Sequence, residues 1–287
     1  MDTNTLQALL AVADTGSFSL AAAQLYLTQP AVSKRIAALE EELAARLFER
    51  LGKGVLLTEA GRTLLPKARH ILAEMEEGRR LIADLATGVS GVLELATSHH
   101  IGLHRLPGLL RDYSRRYPQV VFDLGFMDSE AGCAAVAAGK KELAVVTLPQ
   151  LPTDRLVVEK VWDDPLMVMV NREHPLAHRG GELEALAGYP LILPEAGTVT
   201  RGLIERPFAA LGIPLKIGVE TNSLETIRML VSVGLGWGVL PLSMAVDPLV
   251  CVELPAVHFY RQLGLVTHPK RSLSRAAQAF CELLLGS

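Results

Sequence analysis

The sequence predicts an α/β protein with a small helical bundle at its start. Three observations carry that prediction: apolar residues at helical spacing through the first sixty positions, one long helical pattern after them, and strand-like runs alternating with helices from residue 92 onward. Of 287 residues, 49% are hydrophobic, 21% charged and only 5% aromatic, which excludes a disordered or fibrous chain and disfavours a β-sandwich. Cys133, Cys251 and Cys281 lie far apart with no C-x-x-C, so neither a disulfide framework nor a structural zinc site is expected. The opening MDTNTLQALL has no basic flank and no cleavage-type site, so it does not read as a signal peptide, and the cytoplasm is the expected compartment. The uncharged stretch 229–246 holds Gly234, Gly236, Gly238 and Pro241. It reads as a helix ending in glycine and feeding a buried strand, not as a membrane span.

Leu6, Leu9, Leu10 and Ala13 recur at helical spacing and give a first amphipathic helix that stops near Gly16. Ser17 can cap a short second helix over 18–25, and Thr28 can cap a third, with Pro30 tolerated in its first turn. The apolar stripe of the third helix is Val32, Ile36, Leu39 and Leu43. Its opposite side carries Pro30, Ser33, Lys34 and Ala37, with Arg35 on one flank and Gln29 at the N-terminal end. Small residues allow close approach to a major groove, and Ser, Gln and Lys can bond base edges. Net charge is −3, and residues 1–62 hold six Lys/Arg against seven Asp/Glu, so DNA binding must rest on where the charges sit. The acidic run Glu40-Glu41-Glu42 falls about 10 Å further along the axis, where the helix would be leaving the groove. A plain three-helix bundle with a solvated face would show the same periodicity. Beyond it, 47–50 and 55–58 flank Gly52-Lys53-Gly54 and read as a hairpin wing, with Arg50 and Lys53 placed for phosphates.

The run Phe18-Ser-Leu-Ala-Ala-Ala-Gln-Leu, Thr28-Gln-Pro-Ala-Val-Ser-Lys-Arg-Ile, Leu39-Glu-Glu, Leu47-Phe-Glu-Arg and Leu57-Thr-Glu-Ala-Gly61 closely resembles the N-terminal domain of LysR-type transcriptional regulators. The resemblance implies a winged helix-turn-helix domain over residues 1–60. In it, Thr28, Gln29, Pro30, Ser33 and Lys34 would approach base edges of double-stranded DNA, with Arg35, Arg50 and Lys53 on phosphates. After the serine the family commonly has Arg-Gln, whereas this chain has Lys34-Arg35, which replaces a planar fork by a point donor.

From Thr58 the pattern stays helical to about residue 86, a rod of about 43 Å. Leu64, Ala68, Ile71, Met75, Gly78, Ile82 and Leu85 form a heptad seam, narrowed by the polar neighbours Arg62, Lys67, Arg69, Glu76, Arg79 and Arg80. A helix lying on its own domain would show a similar seam. The resemblance implies that residues 61–86 are a dimerisation helix, pairing two reading helices on a roughly palindromic operator. Residues 87–91 read as a hinge.

Strand-like runs follow at 92–96, 120–126, 143–147, 157–161, 166–170, 191–193, 217–220, 237–240 and 263–266, with helices at 101–117, 130–139, 200–211, 224–234 and 272–285. The alternation predicts mainly parallel sheet with helices on both faces. The length suits two lobes: one over 92–160 and 267–287, the other over 161–266, with crossings near Val161 and Val266. The resemblance implies that 92–287 is an effector domain of two-lobed, periplasmic-binding-protein-like form.

Ligands of open α/β sheets sit beyond the carboxyl ends of strands, beside helix N-termini. Here those places hold Ser98, His99 and His100, then Thr147, Thr198 and Thr200, and then Asn222 and Ser223. Hydroxyls and free amides converging there suit a small anion, most simply a carboxylate. Asn222 with Glu225 also reads as an ordinary cap and box, and Ser98 or Thr200 as caps. The resemblance sets the positions of Ser98, His99, Thr147 and Thr200 beside an inter-lobe cleft. It implies a homodimer or homotetramer whose grip on DNA responds to a small-molecule effector, with RNA polymerase as partner if it activates.

His100 and His104 stand one helical turn apart and invite a metal reading, but no carboxylate or cysteine completes the set locally, so no metal is expected. There is no G-x-S-x-G, H-E-x-x-H or Gly-Lys-Thr loop, and Gly234-Leu-Gly236-Trp-Gly238 lacks dinucleotide-loop spacing. No enzyme activity and no cofactor is expected. A metabolite-binding protein or enzyme built on the two-lobed domain with a docking bundle, or a nucleoid binder without an effector, are the other classes the pattern leaves open.

Overall fold

The computed structural model describes residues 1–51, 54–150, 154–177, 181–255 and 257–286. Lys53 and the tip of the expected wing lie outside the described residues, as do the side chains of Arg50, Ile82 and Leu85. The chain divides into two compact units, Met1–Gly88 with Ala138–Lys140, and Val89–Ala137 with Lys141–Ser287.

In the first unit, α1 (Thr3–Thr15) starts at an Asp2 capping box and ends at Gly16, whose φ of 63° is easy only for glycine. Helix α2 (Phe18–Gln24) is capped by Ser17, and α3 (Gln29–Glu42) follows a tight turn. Strands β1 (Phe48–Leu51) and β2 (Gly54–Leu57) pair antiparallel, and α4 spans Glu59–Thr87. Leu6, Leu9, Val12, Val32, Ile36, Leu39 and Leu47 form the core. Glu40 accepts the backbone N–H groups of Leu47 and Phe48, so one acid of the run ties the hairpin entry to α3. Helix α4 separates its seam. Ala68 is fully buried in this unit's own core, and Leu64 and Ile71 pack against that core, whereas Met75 is 41% exposed. The alternative reading of the seam therefore describes the first half of α4.

The second unit runs β3 (Gly91–Thr97), α5 (His99–His104), α6 (Leu106–Arg116), β4 (Val120–Phe126), α7 (Ser129–Ala137), β5 (Leu143–Thr147) and β6 (Val157–Asn171). It continues with α8 (Leu183–Ala187), β7 (Leu191–Leu193), α9 (Val199–Ala210), β8 (Ile217–Glu220), α10 (Leu224–Ser232), β9 (Trp237–Pro241), β10 (Leu249–Val252), β11 (Phe259–Thr267) and α11 (Arg275–Leu285). Its strands form one hydrogen-bonded sheet in the order β4-β3-β5-β11-β6-β9-β7-β8, with β10 on β6.

Parallel pairing holds on the flanks, between β3 and β4, β3 and β5, β7 and β8, and β7 and β9. The centre departs from the expected parallel sheet. The runs 157–161 and 166–170 are one 15-residue strand, β6, which pairs antiparallel with β11 from Phe259↔Leu166 to Thr267↔Val157. These two long strands cross between the lobes, so they must run in opposite directions. The helix expected over 101–117 breaks at Arg105 into α5 and α6, because Pro107 cannot donate a backbone hydrogen bond.

Strand parity shows why β5 reads as an uninterrupted apolar run. Leu143 and Val145 face one core with Tyr113 and Phe280, while Ala144 and Val146 face another with Val136. In the other lobe Leu191 and Leu193 join Phe208 and Trp237, while Ile192 joins Ile227 and Leu240 on the opposite face. Both halves of the sheet are covered on both sides, which leaves ligand access only where strands end.

Candidate functional site

Two places gather the sequence-predicted residues. At the first, Thr28 precedes α3 in extended conformation and its side chain makes no capping hydrogen bond. Thr28, Gln29, Pro30 and Lys34 are exposed, while Ser33 and Arg35 are half-buried. Gln29 Nε2 donates to Ser33 Oγ at 2.8 Å, which pre-orients both polar groups on the outward face. Tyr26, which no sequence signal singled out, is 97% exposed in the preceding turn at φ 54°. In the first turn of α3 Ala31 N and Val32 N donate to Thr28 O and Pro30 has no N–H, so this end presents the Gln29 N–H, two aligned polar side chains and a cation.

The second place is a narrow cleft of about 60 Å³ between the lobes of the second unit. Ser98, His99, His100, Thr147, Thr198, Thr200 and Asn222 all line it. Ser223 does not; its Oγ accepts from Thr226 N at 3.1 Å and caps α10. Two local assignments change with that. The cap of α10 is Ser223 rather than Asn222, and the cap of α9 is Thr198 rather than Thr200. Each cap lies one residue before its helix, in the extended conformation that lets the hydroxyl turn back. Ser98 does cap α5, accepting from Ile101 N at 3.4 Å.

Asn222 is thereby free to bridge the lobes: its Oδ1 accepts from Glu195 N at 2.9 Å and its Nδ2 donates to Asp128 Oδ2 at 2.8 Å. Thr147 is buried, and its N–H donates to Ser129 Oγ at 3.0 Å. His99 is exposed and stacks on Phe126 at 5.6 Å between ring centroids.

The residue that sequence reasoning missed is Arg261 on β11, only 7% exposed. Its Nε donates to Asp164 Oδ2 at 2.8 Å and its Nη1 to Thr200 Oγ1 at 3.2 Å. Arg105 Nη2 holds the other oxygen of Asp164 at 3.2 Å. Burial pulls the Arg261 pKa below its ordinary value, and the Asp164 carboxylate opposes the change. Its Nη2 is buried with no hydrogen-bond partner. A guanidinium whose Nη2 amino group has no partner can donate to an oxygen that reaches it.

Glu130, also unflagged, reaches across to α9, where its Oε1 accepts from Val199 N at 2.7 Å. A carboxylate of the protein itself therefore already sits on the helix N-terminus where an anion was expected. His100 is buried, and burial, with Arg261 second, lowers its pKa to about 4, so its imidazole is neutral at pH 7.

Comparison with known proteins agrees with this division. Residues 3–62 match the family described as bacterial regulatory helix-turn-helix protein, lysR family, and residues 86–287 match the LysR substrate binding domain. A probable RuBisCO transcriptional regulator of Cyanophora paradoxa is 33% identical, over 98% of this chain and 90% of the relative. Full-length CbnR, solved in complex with its target DNA, is 22% identical with a TM-score of 0.67, covering 99% of each chain. The effector binding domain of QuiR, solved with shikimate, is 23% identical with a TM-score of 0.62, covering 69% of this chain and 97% of that one. The chain belongs to the LysR family. It is a DNA-binding transcriptional regulator with an effector-binding domain, and not an enzyme. Among the described residues no helix is long and apolar enough to cross a membrane.

Proposed function

We propose that the effector is a small carboxylate or similar anion, held in the inter-lobe cleft by Arg261. The observation that carries this is the unpartnered, buried Nη2 of Arg261 beside the Thr200 hydroxyl. Thr198, Thr147, Ser98 and His99 line the same cleft, from both lobes. Shikimate, which occupies the QuiR domain, carries a carboxylate. The anion displaces or sits beside Glu130 at the start of α9, and the lobes respond to that exchange of partners. A ligand shifts DNA binding only as far as it prefers one lobe arrangement over another.

In this reading residues 1–60 are the DNA-binding domain, 61–86 the dimerisation helix, 87–91 a hinge, and 92–287 the effector domain. Thr28, Gln29, Pro30, Ser33 and Lys34 approach base edges, while Arg35, Arg50 and Lys53 touch phosphates. The protein works in the cytoplasm as a homodimer or homotetramer on a roughly palindromic operator. With Leu64, Ala68 and Ile71 packed in their own unit, a partner helix has Met75 and the positions beyond it to cover.

Isothermal titration of the full chain against a panel of small carboxylates and neutral analogues of the same size tests the effector reading. We expect at least one carboxylate to bind, its neutral analogue to bind much more weakly, and Thr200→Val and Arg261→Lys to weaken it. Binding of neutral analogues only, or carboxylate affinity unchanged in both variants, overturns it.

A further inference from the structure

A second cluster stands at the edge of the cleft. His100 and His104 lie one turn apart on α5, so both imidazoles leave the same side of that helix, with ring centroids 4.7 Å apart. Glu225 comes to them from the first turn of α10 in the other lobe. Its Oε1 lies 3.1 Å from His104 Nε2 and 3.6 Å from His100 Nδ1. All three ligand atoms fall within 4.8 Å of one another. Ligands at the usual ~2.0–2.1 Å from a tetrahedral zinc ion are ~3.3 Å from each other, so two of these separations already have the required span.

The ordinary alternative is a histidine–carboxylate hydrogen bond. That accounts for His104 but not for His100. His100 is 5% exposed, and neither of its ring nitrogens has a hydrogen-bond partner. A buried imidazole with both nitrogens unused is a group still waiting for a ligand. Two imidazole nitrogens and one carboxylate oxygen are the donors that borderline divalent ions prefer. Arg261, whose charge acts on His100, is paired with Asp164, which limits its repulsion of an incoming ion.

We infer that His100, His104 and Glu225 form a binding site for one divalent transition ion of zinc's class, with water completing its coordination. The ligands come from both lobes, so the ion binds the lobe arrangement that brings them together and favours that arrangement in return. The site adjoins the anion cleft, which His100 also lines, but its ligands do not include Arg261 and Thr200, the pair that carries the anion reading.

The test uses untagged, full-length protein stripped with chelator. Zn2+ is titrated by calorimetry, and Co2+ by its visible absorption, whose intensity reports a low-coordinate site. We expect one ion per chain, a raised melting temperature, and at least tenfold weaker binding in both His104→Ala and Glu225→Gln. His104 is 46% exposed at its side chain, so its variant should fold normally. His258→Ala, away from the cluster, should bind like the parent protein. Absence of stoichiometric Zn2+ binding, or an affinity unchanged in both cluster variants, overturns the site. Equal loss in His258→Ala does the same.

Discussion

Two helix N-termini in this chain have been treated in opposite ways. At α3 the residue before the helix, Thr28, is exposed and makes no side-chain capping bond. At α9 the equivalent Thr198 caps Arg201 N, and Glu130 from the facing lobe takes Val199 N as well. Every helix leaves several N–H groups without intrahelical partners, and each makes a ready seat for negative charge. At α3 the Gln29 N–H is left to solvent and no side chain covers the end, whereas at α9 a carboxylate of the protein takes the Val199 N–H. An open end suits a polymer of phosphates and base edges that arrives from outside. A filled end suits exchange, in which a small anion must compete with a group already in place.

Substitutions can break or sharpen that contrast. The largest effect is expected at Arg261→Gln, which leaves Asp164 buried with Arg105 alone; removing one partner of such a pair costs about 3–5 kcal/mol. Urea unfolding measures it, and a loss below about 1 kcal/mol would mean that the closed end does not depend on this network. Next come Ser33→Ala and Lys34→Ala, expected to cost about 1–3 kcal/mol of discrimination between operator and altered sites in binding titrations. Lys53→Ala should instead weaken all sequences alike and reduce the salt dependence by about one unit.

Thr198→Ala should lower stability by about 1 kcal/mol in thermal or urea unfolding, as the loss of a working cap does. Glu130→Gln removes the resident charge at α9 and should tighten carboxylate binding by roughly two- to fivefold, the 0.3–1 kcal/mol of a charge at a helix end. Unchanged or weaker binding would show that Glu130 helps the anion rather than competing with it. The smallest stability change is expected at Thr28→Ala, within about 0.5 kcal/mol, because no capping bond is lost. A drop as large as that of Thr198→Ala would erase the contrast between the two ends.

Much of this was legible beforehand, in a particular way. Val32, Ile36 and Leu39 are buried as their spacing requires, and the opposite side of α3 faces outward. Seven of the eight residues expected beside the cleft do line it, because strand ends and helix starts leave local marks. Caps were misplaced by one or two residues, since Asn222, Ser223, Thr198 and Thr200 are all chemically able to cap and only backbone geometry selects among them. The central antiparallel pair was missed because Asp163 and Asp164 interrupt the apolar pattern of β6. Asp164 faces inward to Arg261 and is 1% exposed, so burial there is polar rather than apolar.

The sequence by itself determined the helices, most strands, the outward face of α3 and the strand-end level at which the cleft opens. Periodic burial and capping act over a turn or a few residues, so they are written where they act. The fold alone decided that Arg261 meets Asp164 across 97 residues, that Glu130 reaches Val199 across 69, and that Glu225 reaches His104 across 121. Those contacts depend on the order of strands in the sheet and on the crossing of β6 and β11. No local pattern in a chain encodes which distant charge a buried charge will meet.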